Sequence, residues 1–160
     1  MTIQVGERLP QTTFRIMTSE GPVAKTTDDL FKGRKVVLVA VPGAFTPTCH
    51  RNHLPGYVEK KDEIRAKGVE AILVTSVNDV FVLDAWSKTA GAEGIDFISD
   101  GNGDFAKALG LSMDGTGFGL GTRSQRYAMV VDDGVVKSLN VEDTPSKAQV
   151  SGAENLLKDL

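Results

Sequence analysis

"VVLVAVPGAFTPTC" (Val36–Cys49) decides the fold. Its first six residues, Val36 to Val41, form a continuous and mostly β-branched apolar run. Such a run suits a strand buried on both faces, because a strand with one wet face alternates apolar and polar residues. Pro42 has no N–H to offer a sheet ladder and Gly43 opens a turn, so the strand is expected to stop there. The chain then restarts as a helix. Thr46 is a good N-cap and Pro47 suits the first helical position, which makes Cys49 the third residue of that helix. Turns that follow buried strands commonly carry sites in sheets covered by helices.

Further strands are expected at Ala71–Val77 and Ile95–Ser99. Asp132-Asp133-Gly134 reads as the turn of a hairpin between "YAMVV" and "VVKSLNV". Helical segments alternate with the strands at Tyr57–Gly68, Asp79–Gly91, Gly103–Gly110 and Ser151–Leu160, the last opening on a Ser151/Glu154 capping box. After an N-terminal extension the order is β-α-β-α-β-α-β-β-α. That order predicts an α/β chain with a central mixed β-sheet flanked by helices, and a thioredoxin-like fold fits it. With no internal repeat and no linker, residues 1–160 read as a single domain.

The 160 residues are 41% apolar and 24% charged, an ordinary globular balance. The net charge is -3 and no basic run occurs, which argues against nucleic acid or an anionic membrane as a partner. No apolar stretch reaches membrane-spanning length, and the first residues lack the layout of a secretory signal. Cys49 is the only cysteine, so no intramolecular disulfide can form. A reducing, cytoplasmic setting is the reading.

The third helical position is where a capping box holds a glutamate, against free backbone N–H groups and the positive helix end. A thiolate there meets the same field, and the thiolate is the nucleophilic form. The plain alternative is a cysteine that serves only as a small buried apolar residue. Other cysteine chemistries fail on spacing. A dithiol exchange site needs C-x-x-C, but the first position is Thr46. A thiol phosphatase loop needs an arginine where Pro55 stands. For a Cys–His protease, His50 faces away from Cys49 and His53 leaves little room for a substrate. Zinc on Cys49, His50 and His53 lacks a fourth ligand, so no metal is expected. "GTGFGLGTRS" (Gly115–Ser124) misses the phosphate-binding glycine spacing and reads as a flexible loop.

"PGAFTPTC" and "HLPG" resemble the peroxiredoxins, with Pro42, Thr46 and Cys49 in their P-x-x-x-T-x-x-C signature. "HLPGYVEK", "SVNDVFVLDAW", "GLGTRSQRYAMVVDDGVVK" and "NVE" are similar to the peroxiredoxin 5 / plant type II subfamily. The likeness spans about Val5 to Leu160. It implies a thioredoxin fold and a thiol peroxidase that reduces hydrogen peroxide and alkyl hydroperoxides through a cysteine sulfenic acid, in antioxidant defence.

Carried over by motif, Cys49 is the reacting cysteine, Thr46 the hydroxyl beside peroxide and sulfur, and Pro42 the shield against water. Arg126 is the arginine that contacts the sulfur and polarises the peroxide, a task suited to a permanently charged guanidinium; Arg123 is the competing candidate. Phe45, Phe118 and His53 belong to the substrate pocket, with His53 structural rather than acid–base. The slots where relatives carry a second, resolving cysteine hold Val74 and, late in the chain, the segment around Val150. The resemblance therefore implies reduction by an external thiol such as glutathione, glutaredoxin or thioredoxin, with no organic cofactor, and suggests a homodimer. His50 has no assigned role. Two rival readings stay open: a peroxide sensor or relay that shares the first step, and a binding module with an inert cysteine.

Overall fold

The computed structural model describes residues 1–160. The expected N-terminal extension is not a tail. Its residues form an antiparallel hairpin of β1 (Thr13–Thr18) and β2 (Gly21–Thr26), followed by a single helical turn, α1 (Thr27–Phe31). The central strand β3 (Lys35–Ala40) leads through a helical turn into α2 (Leu54–Ala66), and then β4 (Ala71–Ser76) and α3 (Val80–Thr89) follow. Next come β5 (Asp96–Ser99) and α4 (Asp104–Leu109). A small ribbon, β6 (Ser112–Asp114) and β7 (Thr122–Ser124), precedes the hairpin β8 (Tyr127–Asp132) and β9 (Val135–Val141), and α5 (Ala153–Leu157) ends the order.

The seven-stranded sheet runs β2-β1-β5-β4-β3-β8-β9, with β3, β4 and β5 parallel and the other neighbours antiparallel. It is the mixed sheet that the order of elements predicted. Side chains alternate across it, so the apolar run in β3 feeds two cores at once. Val37, Val39 and Val41 face α2, α3 and α5 together with Leu54, Ile64, Leu83, Trp86 and Leu156. Val36, Leu38 and Ala40 face α1 and α4 together with Leu30, Phe31, Phe105 and Leu109. A strand with two dry faces cannot afford polar residues, which is why "VVLVAV" is unbroken.

Three local expectations give way. Gly115–Ser124 is ordered: β6 and β7 pair, joined through a 3-10 turn at Thr116–Phe118. A Cβ on Gly115 would lie 2.8 Å from Leu120 Cβ and 2.9 Å from Gly121 O, so that glycine permits the close approach. The Ser151/Glu154 capping box does not form; Gly152 caps α5 and Ser151 is turned into the core. The α2 segment begins at Leu54, three residues before the expected Tyr57.

Candidate active site

The site is built where β3 runs out. Val41 N–H still donates to Thr75 O at 3.1 Å, but buried Pro42 has nothing to donate and the ladder ends. Gly43 then admits its neighbours closely: a Cβ there would sit 3.2 Å from Thr46 Cγ2 and 3.4 Å from Arg123 Nη1. Phe45 is held at φ 65°, a left-handed conformation unusual for an aromatic residue. The Thr46 hydroxyl does not cap the helix, contrary to expectation. It donates to Gly43 O at 2.7 Å and so pins the turn, while the Thr46 carbonyl accepts the first helical bond from His50 N–H at 2.8 Å. Pro47 is helical, as expected of a first-position proline.

From Thr48 to His53 the helix is wound as a π-helix, closed by Leu54 N–H donating to Cys49 O. Pro55 supplies the reason. It lacks an N–H for the carbonyls of the preceding turn, so the α-ladder cannot pass through it and the chain takes a wider turn before α2.

Cys49 is 0% exposed, sealed among apolar side chains of the α2–α3 core. It is not alone there: Arg126 Nη2 donates to its Sγ at 2.8 Å. Arg126 immediately precedes β8 and is itself only 2% exposed. A buried cation is tolerable only when its N–H groups are occupied. Nε and Nη2 donate to Pro145 O at 3.2 and 3.0 Å, and Nη1 donates to His53 Nδ1 at 2.9 Å. Of its five N–H groups, one on Nη1 has no protein acceptor. Arg123, the rival, donates instead to Leu120 O and Val77 O and ties the ribbon to the end of β4.

His53 is not a pocket wall. It is 1% exposed, beneath the arginine. Its Nε2 faces Ser151 O at 3.0 Å. Burial, with a smaller contribution from the Arg126 charge, lowers its pKa to about 4, against the raising pull of the Ser151 carbonyl and of Glu142. The partners also settle the tautomer: a carbonyl only accepts and a guanidinium only donates, so Nε2 carries the proton and Nδ1 the lone pair. Ser151 O accepts a second bond from the Tyr57 hydroxyl, whose own pKa burial pushes up. Ser151 N–H and Oγ–H both donate to Glu142 Oε2 at 2.7 Å.

Tyr57, Glu142, Pro145 and Ser151 escape a reading of the sequence, because they meet the site across large separations in the chain. The only signal for two of them is that Tyr57 and Glu142 lie within the matched blocks "HLPGYVEK" and "NVE".

On the outer side, His50 Nδ1 accepts from Trp86 Nε1–H at 2.9 Å, which ties the cysteine's turn to α3. Phe45 is 45% exposed and tilts against both rings, its centroid 5.9 Å from His50 and 6.4 Å from Trp86. Phe118 stands 82% exposed on the ribbon and makes no ring contact with Phe45, so within one chain the two do not form a common wall. A cavity of about 430 Å³ lies elsewhere, lined by Ile16, Met17, Leu30, Val80, Phe97 and their neighbours. Charge and contact single out this site, not volume.

Residues 4–157 match the Redoxin family. Over 99% of this chain and 73% of the relative, it is 48% identical to chloroplastic peroxiredoxin-2E-2 of Oryza sativa subsp. japonica. With peroxiredoxin-2B of Arabidopsis thaliana it shares 41% identity over 99% and 98% of the two chains. The crystal structure of reduced Prx3 from Vibrio vulnificus, in complex with hydrogen peroxide, superposes with a TM-score of 0.94 at 52% identity, covering 98% of each chain. The fold is therefore the thioredoxin-like fold of those proteins, and the chain belongs to the Redoxin family as a peroxiredoxin, a peroxidase of the plant type II kind with a single cysteine.

Proposed function

We propose that this peroxidase reduces hydrogen peroxide and alkyl hydroperoxides at Cys49 and is returned to its thiol by glutathione, glutaredoxin or thioredoxin. The observation that carries the reading is the 2.8 Å contact from Arg126 Nη2 to Cys49 Sγ, both side chains being buried. A fixed guanidinium there stabilises an anionic sulfur and later the negative charge that collects on the departing oxygen. The unclaimed Nη1 N–H of Arg126 and the lone pairs of the Thr46 hydroxyl are the groups offered to a peroxide, and Pro42, buried where β3 ends, is the residue assigned to shield it.

The chemistry balances on these atoms. The sulfur anion attacks the terminal peroxide oxygen, an S–O bond forms, the O–O bond breaks, and the alkoxide or hydroxide leaves to take up a proton. Sulfur loses two electrons and becomes a sulfenic acid. One external thiol displaces water from it to give a mixed disulfide. A second thiol then releases Cys49 and departs as the oxidised dimer. No metal or organic cofactor enters any step.

Three finer readings belong with this proposal. A second copy of the chain is the partner suited to the exposed rings of Phe45, Phe81 and Phe118, giving a homodimer that sedimentation velocity would detect. An enzyme that depends on external thiols suits a reducing compartment, here read as the cytosol. The rice relative is a chloroplastic protein by name, and fractionation of the source cells separates the two. A peroxide sensor shares the first step, whereas a module with an inert cysteine has no use for a guanidinium on the sulfur.

The deciding experiment is steady-state peroxide consumption by catalytic amounts of protein with glutathione alone, glutathione plus glutaredoxin, or thioredoxin with its reductase. Many turnovers in at least one arm are expected, none with Cys49→Ser, and a loss of roughly 100-fold or more with Arg126→Met. Single-turnover oxidation without turnover in any arm would replace the enzyme reading with the sensor.

A further inference from the structure

Arg126 cannot hold its position by sterics alone, because its guanidinium sits at the end of a flexible side chain. Two kinds of contact fix it. Pro145 O takes Nε and Nη2, and His53 Nδ1 takes Nη1. His53 is in turn held by Ser151 O, and Ser151 by both of its donors to Glu142 Oε2. The chain of contacts closes on itself, because Glu142 N–H donates to Arg126 O at 3.0 Å across the β8–β9 pair. Arg126, His53, Ser151 and Glu142 are all buried, whereas Pro145 is exposed. No hydrogen bond in the ring can reverse, since it has a guanidinium at one end and a carboxylate at the other.

We propose that His53, backed by Ser151 and Glu142, is a positioning residue that holds the Arg126 guanidinium on the Cys49 sulfur. The inference rests on the peroxidase reading above and extends it to a residue that never touches the sulfur. Its working part is one lone pair, that of Nδ1. The imidazole accepts from the arginine only while Nε2 keeps the proton, and the Ser151 carbonyl, locked by Glu142, is what keeps it there. The groups facing His53 are Arg126 from the head of β8, Glu142 from the end of β9, and Tyr57 from α2. The arrangement also gives the π-turn a function, because the wide turn sets His53 beneath the arginine while Cys49 stays beside it.

Two substitutions separate the lone pair from mere filling of space. In His53→Asn the carboxamide oxygen falls near the place of Nδ1 and can still accept from Arg126. In His53→Gln the carboxamide nitrogen falls near the place of Nε2 and can still donate to Ser151, but nothing accepts from the arginine. Both leave a similar void. The readout is the second-order rate of Cys49 oxidation by stoichiometric hydrogen peroxide, followed as loss of alkylatable thiol, alongside the melting temperature of each variant.

His53→Gln is expected to slow oxidation roughly 100-fold, the usual penalty for a catalytic group displaced by about an ångström. His53→Asn should restore most of that rate while melting no higher. Glu142→Gln keeps the shape of the support, removes its charge and guards against a folding failure at position 53; a slowing of roughly tenfold is expected. Equal rates in the two His53 variants, or rates that follow melting temperature, would overturn the positioning role with the peroxidase intact. A wild-type protein that hydrogen peroxide does not oxidise would remove the peroxidase reading and this inference together.

Discussion

At the scale of single residues, the site sets four groups of different kinds in contact: a thiol, a guanidinium, an imidazole and, through Ser151, a carboxylate. The imidazole has a consequence for stability that is independent of catalysis. His53 titrates near 6.5 when unfolded and at about 4 when folded, because burial disfavours its charged form. Above pH 6.5 it is neutral in both states and its contribution is fully present. As pH falls from 6.5 toward 4 the unfolded chain binds a proton that the folded chain refuses, so stability is lost, by about 3 kcal/mol over the window. Urea midpoints measured between pH 7.5 and 4.5 should therefore fall more steeply for the wild type than for His53→Asn. Parallel curves would mean that His53 does not stay neutral in the fold. Of this site, Cys49 and Arg126 were legible because each stands in a recognisable block of sequence. The true place of His53 was not, because "HLPG" carries no sign of an arginine that lies 73 residues later.

Secondary-structure elements were legible in proportion to how dry they are. Strands β3, β4 and β8 are buried almost throughout and announce themselves as apolar runs. β1 and β2 form the sheet's edge, half wet, with Arg15, Pro22 and Lys25 among their residues, and so passed for an extension. The three-residue strands of the ribbon are too short to show any period. Helix starts were legible where a side chain really caps. Asp79 is one: its Oδ1 accepts from Val82 N–H at 2.8 Å and opens α3. Asp79→Ala should lower stability by about 1 kcal/mol in urea unfolding and leave the rate of Cys49 oxidation unchanged. A large loss of rate would mean that the register of α3, which carries Trp86, controls the cysteine's turn. At Thr46 and Ser151 the capping pattern misled, since each hydroxyl found a closer acceptor, Gly43 O in one case and Glu142 in the other.

Over the whole molecule, one sheet separates two cores, and β3 supplies side chains to both. Seven of the nine strands belong to that sheet, and β6 and β7 pair separately as the ribbon. We expect a single unfolding transition, with far- and near-ultraviolet circular dichroism superimposing. Leu38→Ala, on the face away from the cysteine, should lower stability by about 3 kcal/mol without splitting that transition. Two separated transitions would show that the edge hairpin, or the ribbon, melts as a unit of its own. The same layering bears on how a reaction at the sulfur could be observed. The chain has one tryptophan, and its indole N–H is bonded to the residue next to Cys49. The molecule thus contains its own optical reporter: whatever loosens that turn also frees the indole, and the change in emission would register each oxidation and each return without an added dye.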